Sequence, residues 1–354
     1  MKKISVILPY YNDKEFLADS IRSVLNQSFG DFELILINHA STDGSEKIAK
    51  SFKDERIKHI NLEINQGAGG GLILDAFLRV ATGKYFKSMC ADDILKPNCL
   101  NFLSHYLDED PSCAAVFGNM EFIDKFGQET GEEWYSHKNF DVDSSALEQY
   151  FRGNSVLPYP GAMVRMVNLR KIKIDIVISA MFDMSLWVQF LVKDWETKCL
   201  DNVVCQYRIH EGQESSSAKS KKLARLVSYE SPFFYQYFLD LSLKDIKKLL
   251  PSDIFARIAD ESDKDFVIAH HFSYNGDFGL RFFAINYIHR ILEDEQRRKR
   301  IKNKFGYEIL DLRNNYSNFS PYFDLSTIKT SKLIKELRRR FKSLFKRSKK
   351  LTVA

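Results

Sequence analysis

Apolar residues in the first hundred positions fall into short runs separated by polar clusters. "ISVILPYY" (Ile4–Tyr11) and "FELILI" (Phe32–Ile37) are nearly unbroken, as expected of strands covered on both faces. "RIKHINL" (Arg56–Leu62) and "KYFKSMC" (Lys84–Cys90) read as two further strands. Between the first two, Leu17, Ile21, Val24 and Leu25 recur at helical spacing. Asn12 with Glu15, and Asp43 with Glu46, have the spacing of capping boxes that would open helices. A glycine-rich connection, "NQGAGGG", leads into a third helix ending at Ala81-Thr82-Gly83. The fourth strand runs into Ala91-Asp92-Asp93, and Pro97 suits an early position of the next helix. Strand and helix in strict alternation predict an α/β fold with a doubly wound, mostly parallel sheet.

Past residue 120 the pattern loosens. "EFIDKFGQET" reads as a strand and turn, and a helix is expected over about Asp183–Lys193. "YRIHEGQESSSAKS" (Tyr207–Ser220) is polar and marks a boundary, after which Lys221–Phe305 is helical and rich in aromatics. Lys332–Lys350 is amphipathic, with Leu333, Leu337, Phe341, Leu344 and Phe345 on one face and cations on the other. The expected division is residues 1–217, 218–328 and a basic tail, 329–354.

Composition alters this picture in two places. The formal net charge is +5, yet Lys329–Lys350 alone holds eleven Lys or Arg against one acid, Glu336, so the rest of the chain is acidic. A basic helix with an apolar stripe suits an anionic membrane surface better than nucleic acid, which needs no such stripe. The five cysteines form no CxxC pair and no zinc spacing, which points to reduced, mostly buried thiols in the cytoplasm. No run is long enough to span a membrane, and the N-terminal apolar stretch reads as a strand rather than a secretory signal.

Candidate chemistry lies where strands end. "ELILI" gives way to Asn38, His39, Ser41, Thr42, Asp43 and Gly44, and in a parallel sheet the carboxyl ends of strands are where ligands bind. Taken in order, "SVILPYYND", "NHASTDGS", "NQGAGGG" with "ATGKYF", "ADD", "MFDMSLW" and "YRIH" resemble the family 2 glycosyltransferases over about Lys3–Ser217. That resemblance implies the GT-A fold, followed here by a helical C-terminal region, and inverting transfer from a nucleotide-diphosphate sugar to a glycan or lipid-linked saccharide. It further implies bacterial surface polysaccharide synthesis on the inner face of the cell membrane, with no nucleic-acid partner. A homo-oligomer stays open. The rival is a non-catalytic glycan- or nucleotide-binding module on the same fold.

By the resemblance, Pro9, Tyr11, Asn38, His39, Ser41, Asp43, Gly67, Asp75, Asp92 and Arg208 belong to the nucleotide-sugar site. Asp92, Asp93 and His210 would hold a divalent metal, Mn or Mg, and Asp183 would be the base. Neighbouring carboxylates repel unless a hard cation bridges them to a diphosphate; their alternative is to cap the Pro97 helix. A single carboxylate taking the acceptor's proton suits one direct displacement, hence inversion. Asp183 could instead be an N-cap. The departures are Asn38-His39 for an Asp pair, Ala40 for Gly, Leu74-Asp75 for Arg-Asn, Cys90 for Asp and Phe182 for Glu. Asn both donates and accepts hydrogen bonds where Asp only accepts, so base recognition is expected to differ.

Overall fold

The computed structural model describes residues 2–65, 70–138, 140, 145–193, 195–213, 221–274 and 278–318. They divide into two compact units, Met1–Phe283 and Ala284–Ala354. Gly67 and the basic tail lie outside the described residues.

The first unit is built on nine strands: β1 (Ile4–Tyr10), β2 (Phe32–His39), β3 (Ile57–Leu62), β4 (Tyr85–Lys87), β5 (Ile94–Leu95), β6 (Ala115–Ile123), β7 (Glu129–Glu133), β8 (Ala162–Arg165) and β9 (Thr197–Arg208). Their order is β3-β2-β1-β4-β8-β6-β9-β5, with β7 beside β6. β3, β2, β1 and β4 are parallel neighbours, as the alternation predicts. β8 then pairs antiparallel with both β4 and β6, and β6 runs parallel to β9. Ile4, Val6 and Leu8 of β1 and Leu34 and Leu36 of β2 pack with Leu17, Ile21 and Val24 of the helix Leu17–Leu25, all fully buried. Each such aliphatic side chain contributes about 1.5–3 kcal/mol.

A polar latch joins the amino ends of these strands. Ser5 on β1 faces Glu33 on β2, and its Oγ donates to Glu33 Oε1 at 2.6 Å. The same oxygen accepts from Thr82 N and Oγ1, while Lys58 on β3 pairs with Oε2 at 2.5 Å. Burial pushes the Glu33 carboxyl up, but the bonds from Lys58, Ser5 and Thr82 outweigh it and hold it below its ordinary value.

Several local expectations change. Neither capping box forms. Asn12 has φ 57° and its Oδ1 accepts from Thr42 N, while the first helix starts later, on bonds from Phe16 N and Leu17 N to the Asp13 carbonyl. In the second box, Asp43 accepts from Ser45 and Lys14, Gly44 takes the cap position at φ 100°, and Glu46 turns to Lys50. β4 is three residues long rather than seven, because the chain leaves the ladder at Ser88. The next helix is Cys99–Glu109 with Asn98 at the cap, so Pro97 precedes it. The helix expected at Asp183–Lys193 is Phe182–Val192.

Candidate active site

β1, β2 and β4 are parallel, so the loops after them emerge along one edge of the sheet. The first two loops are tied together. Asn12 N donates to Ser41 Oγ at 3.2 Å, Thr42 N to Asn12 Oδ1 at 2.8 Å and Lys14 N to Asp43 Oδ2 at 3.0 Å. Asn38, buried at the end of β2, accepts from Ser41 N through Oδ1 at 2.9 Å. That bond closes a turn in which Ala40 stands at φ 61°. The side-chain oxygen of Asn38 is therefore engaged by the Ser41 backbone. Ser41 and Asp43 likewise join the two loops. Pro9 sits half-buried within β1. Tyr11 is 43% exposed, with its ring edge-on to buried His39 at 6.4 Å between centroids. Burial lowers the His39 pKa, which keeps the imidazole neutral.

Beyond β4 the chain turns through Ser88–Asp93. Neither Asp92 nor Asp93 caps a helix, because β5 and the Asn98 cap intervene. Cys90, Asp92 and Asp93 each place a ligand atom within 4.8 Å of the others. Asp93 is fully buried; its Oδ1 accepts from Arg208 N at 3.0 Å, and its Oδ2 has no hydrogen-bond partner. Burial, then the neighbouring Asp92 charge, push the Asp93 carboxyl well above its ordinary value. An orphaned, buried carboxylate oxygen beside a second carboxylate and a thiol fits a cation. Ser20, on the first helix, fixes this turn from behind by donating to the carbonyls of Ala91 and Asp93.

Arg208 and His210 meet this turn from the end of β9. Arg208 Nε donates to the Asp92 carbonyl at 2.8 Å, and Nη1 reaches the carbonyls of Asp124 and Lys125. Arg208 is 3% exposed, and its guanidinium lies 4.8 Å over the Phe16 ring. His210 Nε2 lies 3.2 Å from Asp92 Oδ2, its ring also against Phe16.

Asp183 stands in the first turn of the helix Phe182–Val192, where Met181 holds the cap position, so it is not an N-cap. Its Oδ1 accepts from Met184 N at 2.8 Å. Burial raises its pKa, and Lys138 acts in the opposite direction. Phe182 lies so close to Gly70 that a Cβ there would fall 1.9 Å from the ring, which leaves glycine as the residue that fits. Tyr159 meets the Phe182 ring at 6.4 Å and the Trp187 ring at 5.9 Å. Its segment is anchored by Ser88 Oγ, which donates to the Tyr159 carbonyl, and by buried Lys87, which donates to the Pro160 carbonyl at 2.5 Å. The Cys90 thiol stands beside Asp92 and Asp93. Burial raises its pKa first, and the charges of Asp93, Asp92 and Asp183 add to the shift.

Asp75 forms an ion pair with Arg79 at 2.8 Å on the exposed side of its helix, while neighbouring Leu74 is in the core. Sequence reasoning missed Ser20, Lys87, Ser88 and Glu230. Glu230, 4% exposed, accepts from Ser179 and Met181 ahead of Asp183. No local pattern marks these residues, since each acts through backbone groups distant in the chain.

A parallel sheet continued through antiparallel strands, with paired carboxylates on the turn after β4, is the arrangement of the GT-A fold. Residues 5–172, a little under half of the chain, match the family described as "Glycosyl transferase family 2". An uncharacterized glycosyltransferase of Methanocaldococcus jannaschii is 28% identical over 228 residues, 62% of this chain and 76% of the relative. TuaG of Bacillus subtilis, a glycosyltransferase named for teichuronic acid biosynthesis, is 26% identical over 216 residues, 60% of this chain and 82% of its own. Among solved structures, S. aureus TarS 1–349 in complex with UDP-GlcNAc aligns with TM-score 0.54 at 19% identity over 93% of each chain, a likeness of fold.

Proposed function

We propose that the protein is an inverting transferase that moves a sugar from a nucleotide-diphosphate donor to a glycan or lipid-linked saccharide, in bacterial surface polysaccharide synthesis. The observation that carries this reading is the cluster of Cys90, Asp92 and Asp93 on the turn after β4, in which a buried Asp93 oxygen has no hydrogen-bond partner. TuaG's name and the UDP-GlcNAc bound to TarS support the class of pathway and donor.

Asp92 and Asp93 are the residues that would hold a divalent cation, Mn or Mg, with His210 orienting Asp92. Such a cation neutralises charge on the departing diphosphate. Tyr11 and His39 form the base end of the donor site, and the turn closed by Asn38, Ser41 and Asp43 shapes it beside Pro9. Arg208 supports the Asp92 turn through its backbone contacts rather than touching the diphosphate. Gly67, outside the described residues, is assigned to the donor site by the resemblance alone. Asp183 takes the acceptor's proton, and its raised pKa makes it a stronger base than an exposed Asp. Phe182 and Tyr159 form an apolar wall beside it that excludes water.

The test is calorimetry with UDP, GDP and CDP, with and without Mn, alongside sugar release from matching donors. Metal-dependent binding of one nucleotide, lost in Asp92→Asn, is expected. Asp183→Asn is expected to keep that binding and lose about a hundredfold or more in turnover. Full turnover in Asp183→Asn would overturn the base assignment. Tight binding with no turnover by the wild type would favour the non-catalytic module, for which the departures at Asn38-His39, Leu74 and Cys90 speak.

A further inference from the structure

Glu230 lies outside the segment that matches the family, on the helix Lys221–Tyr235. Its side chain is withdrawn from water, with 4% of the residue exposed. A buried carboxylate is costly unless its oxygens are satisfied, and here both are. Oε1 accepts from Ser179 N at 3.0 Å and from Ser179 Oγ at 2.9 Å. Oε2 accepts from Met181 N at 2.9 Å. Both amides belong to the turn that leads into the helix Phe182–Val192. Met181 holds the cap position of that helix without a side-chain cap of its own, and Asp183 stands two residues later.

A cap is normally supplied by a residue adjacent in sequence. Here an acceptor from 49 positions away serves the backbone of the turn instead. The consequence is geometric. Asp183 is carried by the first turn of the helix, and the entry of the chain into that turn is set by the two amides that Glu230 holds. On the other side, Phe182 is pressed against Gly70, so a shift of the turn moves Phe182 and Asp183 together.

We propose that Glu230 is a positioning residue for Asp183, by which a helix beyond the family segment sets the aim of the base without touching substrate. This rests on the reading of Asp183 as the base. Glu230→Gln retains an acceptor for Ser179 but turns an amide NH2 toward Met181 N. Glu230→Ala removes all three bonds. A misplacement on the order of 1 Å costs up to about a hundredfold in rate, so kcat is expected to fall about tenfold in Glu230→Gln and further in Glu230→Ala.

Three readouts on full-length protein separate positioning from general destabilisation. Donor nucleotide affinity by calorimetry is expected to match wild type. Amide exchange is expected to quicken at residues 179–183 and to stay unchanged in β1 and β2. The loss is expected in kcat and not in the donor KM. Wild-type kcat in Glu230→Ala would overturn the proposal, as would a parallel fall in donor affinity with faster exchange across the unit. Unchanged exchange at 179–183 overturns the anchoring itself, whatever the enzyme's activity. The functional reading fails by a different result, full turnover in Asp183→Asn.

Discussion

Phe182 stands where the resemblance leads one to expect a carboxylate, and the residue beside it, Asp183, is the proposed base. A second acid there would carry water and charge up to Asp183. An aromatic ring packed on Gly70 instead leaves Asp183 desolvated, with its pKa raised by burial. The sign for activity follows directly. A raised pKa keeps the base protonated to higher pH, so kcat climbs only as pH rises through that value. Phe182→Gln, which lets water reach the carboxyl, is expected to move the acid limb of the kcat–pH profile to lower pH. An unmoved limb would mean that the ring does not set the basicity. Ala40 offers a second single-residue test. At φ 61° its Cβ is strained by about 1–2 kcal/mol, partly offset in a glycine variant by about 0.4–1 kcal/mol of unfolded-state freedom. Ala40→Gly should therefore raise stability by about 0.5–1 kcal/mol, read as a higher urea midpoint at unchanged slope; a lower midpoint would show that the turn prefers a side chain.

At the scale of elements, the active edge of the sheet depends on a latch at its other end. Glu33 joins β1, β2, β3 and the chain entering β4 through Ser5, Lys58 and Thr82. Its carboxyl titrates below the ordinary value in the folded protein, so the stability it adds is present above about pH 4.3, the unfolded value, and is lost as pH falls through the folded one. Glu33→Gln leaves buried partners imperfectly matched and should cost about 1–3 kcal/mol at pH 7. The gap to wild type should narrow on acidification toward pH 3. Urea unfolding of both proteins at the two pH values reads this, and a gap that stays constant would show that the Glu33 charge contributes nothing.

For the whole molecule, the expected membrane role rests on the tail, residues 329–354, which lies outside the described residues. Among those that are described, no helix is long and apolar enough to cross a bilayer. We propose peripheral attachment at the inner face of the cell membrane, with Lys332, Lys335, Arg338, Arg339, Lys342, Lys346 and Arg347 meeting anionic headgroups at about 1 kcal/mol each. Removing Thr330–Ala354 should leave nucleotide binding intact and abolish co-sedimentation with anionic vesicles. Wild-type co-sedimentation should weaken at high salt. Equal sedimentation of both forms at low salt would dismiss the anchor.

The apolar runs by themselves determined β1, β2 and the helices beside them, because burial on both faces needs unbroken apolar sequence and that can be read locally. The polar residues closing those runs likewise identified the edge that carries Asn38, His39, Asp92 and Asp93. What each polar group does was decided by tertiary structure. Asn12 and Asp43 have capping-box spacing, but partners brought from the neighbouring loop outcompeted the local cap. Arg208 is assigned by the resemblance to the nucleotide-sugar site, and its side chain is committed to three carbonyls of two other segments. Glu230 had no signal at all, since a carboxylate in a helix declares its role only once Ser179 and Met181 are folded against it. Hydrophobic burial follows composition along the chain. A hydrogen bond needs a second group within about 3 Å, and for these residues that group is fixed by packing, not by sequence neighbours.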